Sequence, residues 1–283
     1  DGFFTATSAV AVTGLVVVDT ESAWSLSGQI IIMCLFFIGG LGFMTAAAFL
    51  LIIVGQQIGL QGKLILRAGL GDQTWEDGGV QIGSITNLVK KIALFSITTQ
   101  ILGVIFLFLR WFVFGSMYEG INWKDALWYS LFHSVSAFNN AGFDIIPDKL
   151  VGGPSLTAFS GDFQSLIIFS LLSILGGLSY VVLSDIASKR KFNRLRLDTK
   201  LILVGSVVVI MIGTLAFLAT EWSNPKTLGK SASTEKIVSS IFHASSARTS
   251  GFSIIDYGHA TTGNTVVSES IMFIGGASAS TAG

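Results

Sequence analysis

The chain has 283 residues, 51% of them hydrophobic and 12% charged, with a formal net charge of zero and a mean hydropathy of +0.71. Soluble domains carry roughly 25% charged residues, so this composition excludes an ordinary soluble globule and sets most of the surface against lipid. Charge neutrality gives no bias toward polyanions, which excludes nucleic acid as a partner, and the lone cysteine, Cys34 in an apolar run, excludes a disulfide framework.

A spanning helix needs about 20 apolar residues, whereas roughly 10–14 mark a re-entrant or buried segment. In chain order, a short apolar stretch at 3–12 precedes a long one at 27–54. Next come a long stretch at 88–114, a short one at 126–138 and a long one at 164–186. A third set follows, with a long stretch at 201–220, a short one at 237–247 and a further long one starting near Val266. The short segments predict helices that dip into the bilayer and return, which is tolerated only where protein buries their ends or water lines them. The connections 55–91 and 187–200 hold ten of the seventeen Lys and Arg. Basic loops stay in the cytoplasm, so the short helices enter from outside.

The predicted fold is an all-α polytopic membrane protein of repeated helix–pore helix–filter loop–helix units around a central pore. Repeat 1 covers 1–60, a cytoplasmic connector 61–87, repeat 2 88–187, a basic cytoplasmic connector 188–200 and repeat 3 201–283.

The repeat is visible in the residues. The short segments end in Ser8-Ala9-Val10-Ala11-Val12-Thr13-Gly14-Leu15, Ser136-Ala137-Phe138-Asn139-Asn140-Ala141-Gly142-Phe143 and Ser245-Ser246-Ala247-Arg248-Thr249-Ser250-Gly251-Phe252. Aligning the glycines places Ser8, Ser136 and Ser245 together, with an apolar residue after each glycine. Phe132-His133-Ser134 and Phe242-His243-Ala244 echo each other as well. Glycine pairs then follow at Gly39-Gly40, Gly176-Gly177 and Gly275-Gly276, beginning 25, 34 and 24 residues after the respective loop glycines.

A pore that strips water from a cation must replace it with oxygens, and backbone carbonyls turned toward one axis can supply them. The turn needs conformations that glycine adopts cheaply, and a short helix aimed inward by its C-terminus adds partial negative charge. The candidate filter residues are therefore Val12, Thr13 and Gly14, then Asn140, Ala141 and Gly142, then Thr249, Ser250 and Gly251. A lone glycine would more simply read as an ordinary left-handed helix cap; three coincident loops favour a filter. Asp19, Asp144 with Asp148, and Asp256 stand just beyond the loops as candidate vestibule charges, each worth roughly 0.4 kcal/mol to a cation about 10 Å away in water. Solvated loop carboxylates are the alternative.

These loops resemble those of the Ktr/Trk/HKT superfamily of potassium transporters, and the chain looks most like the bacterial Ktr pore-forming membrane subunits. The resemblance runs over the whole sequence. It implies potassium as the permeant ion, K+ held at the filter carbonyls, and four repeats around one pore in the plasma membrane. It also implies a homodimer docked on a cytoplasmic nucleotide-binding regulatory ring. No covalently bound cofactor is implied; Na+ stands as a coupling or activating ion, and nucleotide binds only the partner. Gly14, where plant relatives that prefer sodium carry Ser, argues for potassium. The sequence lacks the first crossing and a fourth repeat, so a longer protein is expected.

The third glycine pair departs from the others. The first two lead into Leu-Gly-Phe-Met and Leu-Ser-Tyr-Val, as though the helix resumes. The third runs Gly275-Gly276-Ala277-Ser278-Ala279-Ser280-Thr281-Ala282-Gly283, where three glycines alone cost a helix about 3 kcal/mol. This predicts an unwound loop near the membrane midplane, matching the intramembrane gating loop that the resemblance implies; close helix packing through small residues is the alternative. Arg248, three residues before a filter glycine, is expected to turn away from the ion and pair with a carboxylate or backbone carbonyls. His133 and His243 are expected to hydrogen-bond within the pore wall. The glycine-rich stretch 69–79 lacks the strand-then-helix setting of a nucleotide fingerprint, and no catalytic constellation appears. The rival readings are a cation symporter working by alternating access and a non-conducting membrane scaffold.

Overall fold

A computed structural model describes residues 1–42, 82–115, 121–147, 155–277 and 280–281, with side chains from 90 onward in the second segment. All regular structure among them is helical. Repeat 1 contributes α1 (Gly2–Val10), a helical turn at Thr20–Ala23 and α2 (Leu26–Gly40). Repeat 2 contributes α3 (Ile82–Phe108), which passes into a π-helical turn at Leu109–Val113, then α4 (Trp123–Phe138), α5 (Phe163–Gly177) and α6 (Tyr180–Lys189). Repeat 3 contributes α7 (Leu197–Glu221), α8 (Ser233–Thr249) and α9 (Thr262–Ile274). α3 starts at Ile82, earlier than the expected 88, while the rest of the first connector and the end of the 27–54 stretch lie outside the described residues.

The helix starts follow from local chemistry. Asn122 caps α4 by accepting from the backbone N–H groups of Lys124 and Asp125, each at 2.9 Å. Asp162 does the same for α5 and Thr261 for α9, meeting donors that no helical partner can reach. Among the described residues, Lys90–Val113 and Leu197–Glu221 are long and apolar enough to cross a membrane. On α7 Leu201, Val207 and Leu215 are each about 60% exposed, the lipid-facing surface a spanning helix requires.

Packing repeats with the sequence. Each short helix lies against the second long helix of its own repeat: α1 on α2, α4 on α5, α8 on α9. α4 also touches α2, and α8 touches α5, so a short helix is gripped by the preceding repeat too. Repeats 1 and 2 share a core that includes Ile32, Phe36, Phe132 and Phe143. Repeats 2 and 3 share another, around Trp111, Phe169, Phe242 and Phe252. The π turn belongs to the second core: it buries Trp111, whose indole donates to Ser165 Oγ at 3.0 Å, and sends Arg110 to Asp162 at 2.9 Å.

One expected span is not continuous. Residues 164–186 split at Leu178-Ser179, and α5 meets α6 at 94°. Leu178 is extended (φ −89°, ψ 127°), and Ser179 caps the new helix by accepting from Val181 N–H. α2 likewise stops at Gly40, with Gly42 at φ +74°. In repeat 2 the helix does resume after the glycine pair, as α6, but across the 94° bend, and in repeat 1 the residues that follow Gly42 lie outside the described residues. All three helices end at or beside their glycine pair, and in the first two repeats the end of a short helix presses against that pair.

Candidate cation filter and gate

The glycine pairs interlock with the short helices. A Cβ on Gly39 would overlap the carbonyl of Val10, the last residue of α1, and one on Gly40 would overlap the Asn139 side chain. In repeat 2, a Cβ on Gly176 would overlap the Phe138 carbonyl, while Gly177 faces Thr249 at 3.5 Å. Each of these two pairs thus admits first the short helix of its own repeat and then that of the next.

This grip brings the loop glycines together. Gly14, Gly142 and Gly251 all adopt left-handed backbone, at φ +75°, +71° and +74°. A Cβ on Gly14 would lie 2.5 Å from the Ala141 carbonyl oxygen and 3.3 Å from Gly142 Cα. One on Gly142 would lie 2.6 Å from the Ser250 oxygen. The three loops therefore pass beside one another in sequence order, too close for a side chain at Gly14 and Gly142, while a Cβ on Gly251 would make an ordinary 3.9 Å contact with Gly142 Cα. Val12 and Asn140 also hold positive φ, at +53° and +56°; Asn tolerates this well, whereas β-branched Val is strained. Thr13 is exposed, and Ala141 and Ser250 are buried.

The loops are fastened from behind. Ser136 Oγ donates to the Phe143 carbonyl at 2.7 Å and Ser246 Oγ to the Phe252 carbonyl at 2.6 Å. Phe143 stacks on Phe36 at 5.9 Å, and Phe252 meets Phe169 at 5.3 Å. The serine matching Ser136 is thus Ser246, not the expected Ser245, which bonds instead to the Phe242 carbonyl. Repeat 3 spends one residue fewer between serine and glycine, a shift that the spacing of His133 and His243 to Ser136 and Ser246 carries in the sequence and that alignment on the glycines passed over. Ser8 is buried with its hydroxyl unpaired among the described residues. His133 braces repeat 2: its Nδ1 lies 2.7 Å from the Tyr129 oxygen, and its Nε2 accepts from Ile145 N–H at 3.5 Å. His243 Nε2 lies 3.0 Å from Ser268 Oγ while its ring stacks on Phe217 at 4.0 Å. Both histidines serve the wall.

Of the expected vestibule carboxylates, Asp19 is exposed and caps the Thr20–Ala23 turn, and Asp256 is exposed and accepts from Gly258 N–H at 2.8 Å. Asp144 is half-buried directly after Phe143. Asp148 lies outside the described residues.

Beneath the loops, α9 ends at Ile274 and Gly275 turns the chain at φ +65°. Ala277 N–H donates to the Gly177 carbonyl at 3.2 Å and Thr281 N–H to the Gly176 carbonyl at 3.1 Å. The carbonyls freed by the α5–α6 break are therefore satisfied by a segment from repeat 3. Thr281 Oγ1 also donates to the Phe138 carbonyl at 2.8 Å, and Arg248 Nε donates to the Gly275 carbonyl at 2.8 Å. Arg248 is buried and does turn to a backbone carbonyl. Gly276 and Ser280 belong to the same segment; Ser278, Ala279, Ala282 and Gly283 lie outside the described residues.

Short helices ending at clustered left-handed glycines, interlocked through glycine pairs, define a polytopic membrane protein of re-entrant pore-loop repeats. The TrkH family, described as cation transport protein, matches residues 1–283. The chain belongs to that family. It is 39% identical over 282 residues to Ktr system potassium uptake protein B of Bacillus subtilis, and 36% identical over 287 residues to the protein of the same name in Vibrio alginolyticus. The potassium/sodium uptake protein NtpJ of Enterococcus hirae is 34% identical over 283 residues. These alignments cover 100% of this chain but 59%, 58% and 58% of the relatives, so the chain spans less than two thirds of their length. The crystal structure of the potassium transporter TrkH from Vibrio parahaemolyticus aligns with a TM-score of 0.69 at 16% identity, covering 99% of this chain and 51% of that one. This likeness concerns the fold.

Proposed function

We propose that this chain forms the greater part of a potassium-translocating pore in a multi-pass plasma-membrane protein. K+ passes between the backbone carbonyls of Val12-Thr13-Gly14, Asn140-Ala141-Gly142 and Thr249-Ser250-Gly251, which replace its hydration shell. The observation that carries this reading is the convergence of Gly14, Gly142 and Gly251, all left-handed, with Gly14 and Gly142 each too close to the next loop for a side chain and Gly251 against Gly142. Full-length relatives named for potassium uptake, and one named for potassium and sodium, support the choice of ion and keep Na+ as a candidate second ion. Asp19, Asp144 and Asp256 enrich cations at the outer mouth.

Residues 275–283 are the gate. Ala277 and Thr281 of this segment bond to α5 and to the end of α4, contacts that support a closing element below the glycines. The protein works as a homodimer on a cytoplasmic nucleotide-binding ring, and the ring opens the pore by pulling on the helices that anchor the segment. Deleting residues 277–282 from the complete protein should raise potassium flux without the ring and preserve selectivity. Flux that stays low and fully ring-dependent, in protein that remains folded, would refute the gate.

A further inference from the structure

The amide of Asn140 sits where filter and gate meet. With its oxygen toward the gate segment, it accepts from Thr281 Oγ1 at 3.0 Å and from Gly177 N–H at 3.2 Å, and its nitrogen donates to Thr249 Oγ1, on the last residue of α8, at 2.8 Å and to the Ser173 carbonyl at 3.3 Å. Asn140 is 1% exposed and holds left-handed backbone two residues before Gly142. Its neighbour Phe138 ends α4, and the carbonyl there, which has no partner within the helix, accepts from the same Thr281 hydroxyl. A single hydroxyl of the gate segment therefore shares its proton between the end of a pore helix and the residue that sets the turn of a filter strand.

We infer that Asn140, Thr281 and Thr249 form a latch that couples the position of the gate segment to the geometry of the second and third filter strands. The inference rests on the filter-and-gate reading above. With the segment in place, the Asn140 amide is tied to both threonines and its backbone is fixed. When the segment moves away, the Phe138 carbonyl and the Asn140 amide lose their shared partner. The Ala141 carbonyl, next in the chain, then gains freedom at the filter. Opening the gate and relaxing the filter are one event, and Asn140 is a positioning residue for selectivity. The sequence alone offered Asn140 as a carbonyl donor only; its amide role needed the third repeat folded beneath it.

The test uses the complete protein in proteoliposomes, measuring basal potassium flux and the K+/Na+ flux ratio. Thr281→Val keeps the shape and removes the hydroxyl; losing the proton shared by the Phe138 carbonyl and the Asn140 amide should raise basal flux roughly five- to thirtyfold and lower the K+/Na+ ratio. Thr281→Ser, which retains the hydroxyl, should lie nearer wild type on both measures. Asn140→Gly deletes the amide while keeping left-handed backbone accessible; combined with Thr281→Val, it should change the ratio no further than either alone. Raised flux with an unchanged ratio would overturn the coupling and leave the gate intact. Unchanged flux and ratio in Thr281→Val would overturn the latch, while deletion of residues 277–282 reports separately on the gate. Additive effects in the double variant would also refute it.

Discussion

Gly176→Ala tests the interlock on which the pore geometry depends. The new Cβ would overlap the Phe138 carbonyl oxygen and stand 2.7 Å from Thr281 Oγ1. Ordinary contact begins near 3.4 Å, so α5 and the end of α4 must separate by about 1 Å or more. Overpacking of this kind costs typically 1–3 kcal/mol, and a backbone carbonyl cannot swing aside as a side chain would. Ala favours a helix by up to about 1 kcal/mol over Gly, so the expected net loss is about 2 kcal/mol, roughly a thirtyfold change in the folded-to-unfolded ratio. Reversible unfolding of the purified full-length protein in mixed detergent micelles measures it directly. Gly205→Ala in α7 is the control: nothing lies within 4 Å of its Cβ position, so it should be neutral or slightly stabilising. Equal effects at both positions, or a loss below about 0.5 kcal/mol at Gly176, would refute the packing argument.

Three further outcomes follow from the site. Ser136→Ala and Ser246→Ala should each lower the K+/Na+ flux ratio by freeing the Phe143 and Phe252 carbonyls, whereas Ser245→Ala should leave the ratio near wild type; the reverse order in repeat 3 would restore the alignment read from sequence. Arg248→Gln, which removes the bond to the Gly275 carbonyl, should raise basal flux, and unchanged flux would remove Arg248 from the gate. A cysteine at Lys191 should react with a membrane-impermeant thiol reagent from the cytoplasmic side and one at Lys226 from outside; inverted labelling would reverse the topology.

Much of this was legible from spacing. The long and short apolar stretches located the long and short helices because lipid imposes length on both. Gly14, Gly142 and Gly251 could be aligned because each turns a short helix into its loop in left-handed backbone, which glycine adopts most cheaply. The register of repeat 3 was legible only through the Phe-His echo, which puts Ser136 and Ser246 each three residues after a histidine; aligning on the glycines selected Ser245 instead, and the hydrogen bond from Ser246 to Phe252 separates the two. The break after Gly177 was hidden: Leu178-Ser179 sits inside an apolar run, and its cause is a carbonyl supplied by α4 from outside the segment. The partner of Arg248 and the amide contacts of Asn140 are long-range facts of the same kind.

The central claim is that the clustered glycines select potassium. The most direct measurement is the K+/Na+ flux ratio of the complete protein carrying Gly14→Ser or Gly251→Ser, taken on protein that purifies as a single folded species from the membrane. At Gly14 the new side chain would press on the Ala141 carbonyl, 2.5 Å from its Cβ, and at Gly251 it would add a hydroxyl beside the strand of Gly142. Either substitution should let sodium compete and lower the ratio several-fold. Potassium flux and sodium exclusion both unchanged in the two variants would contradict the account.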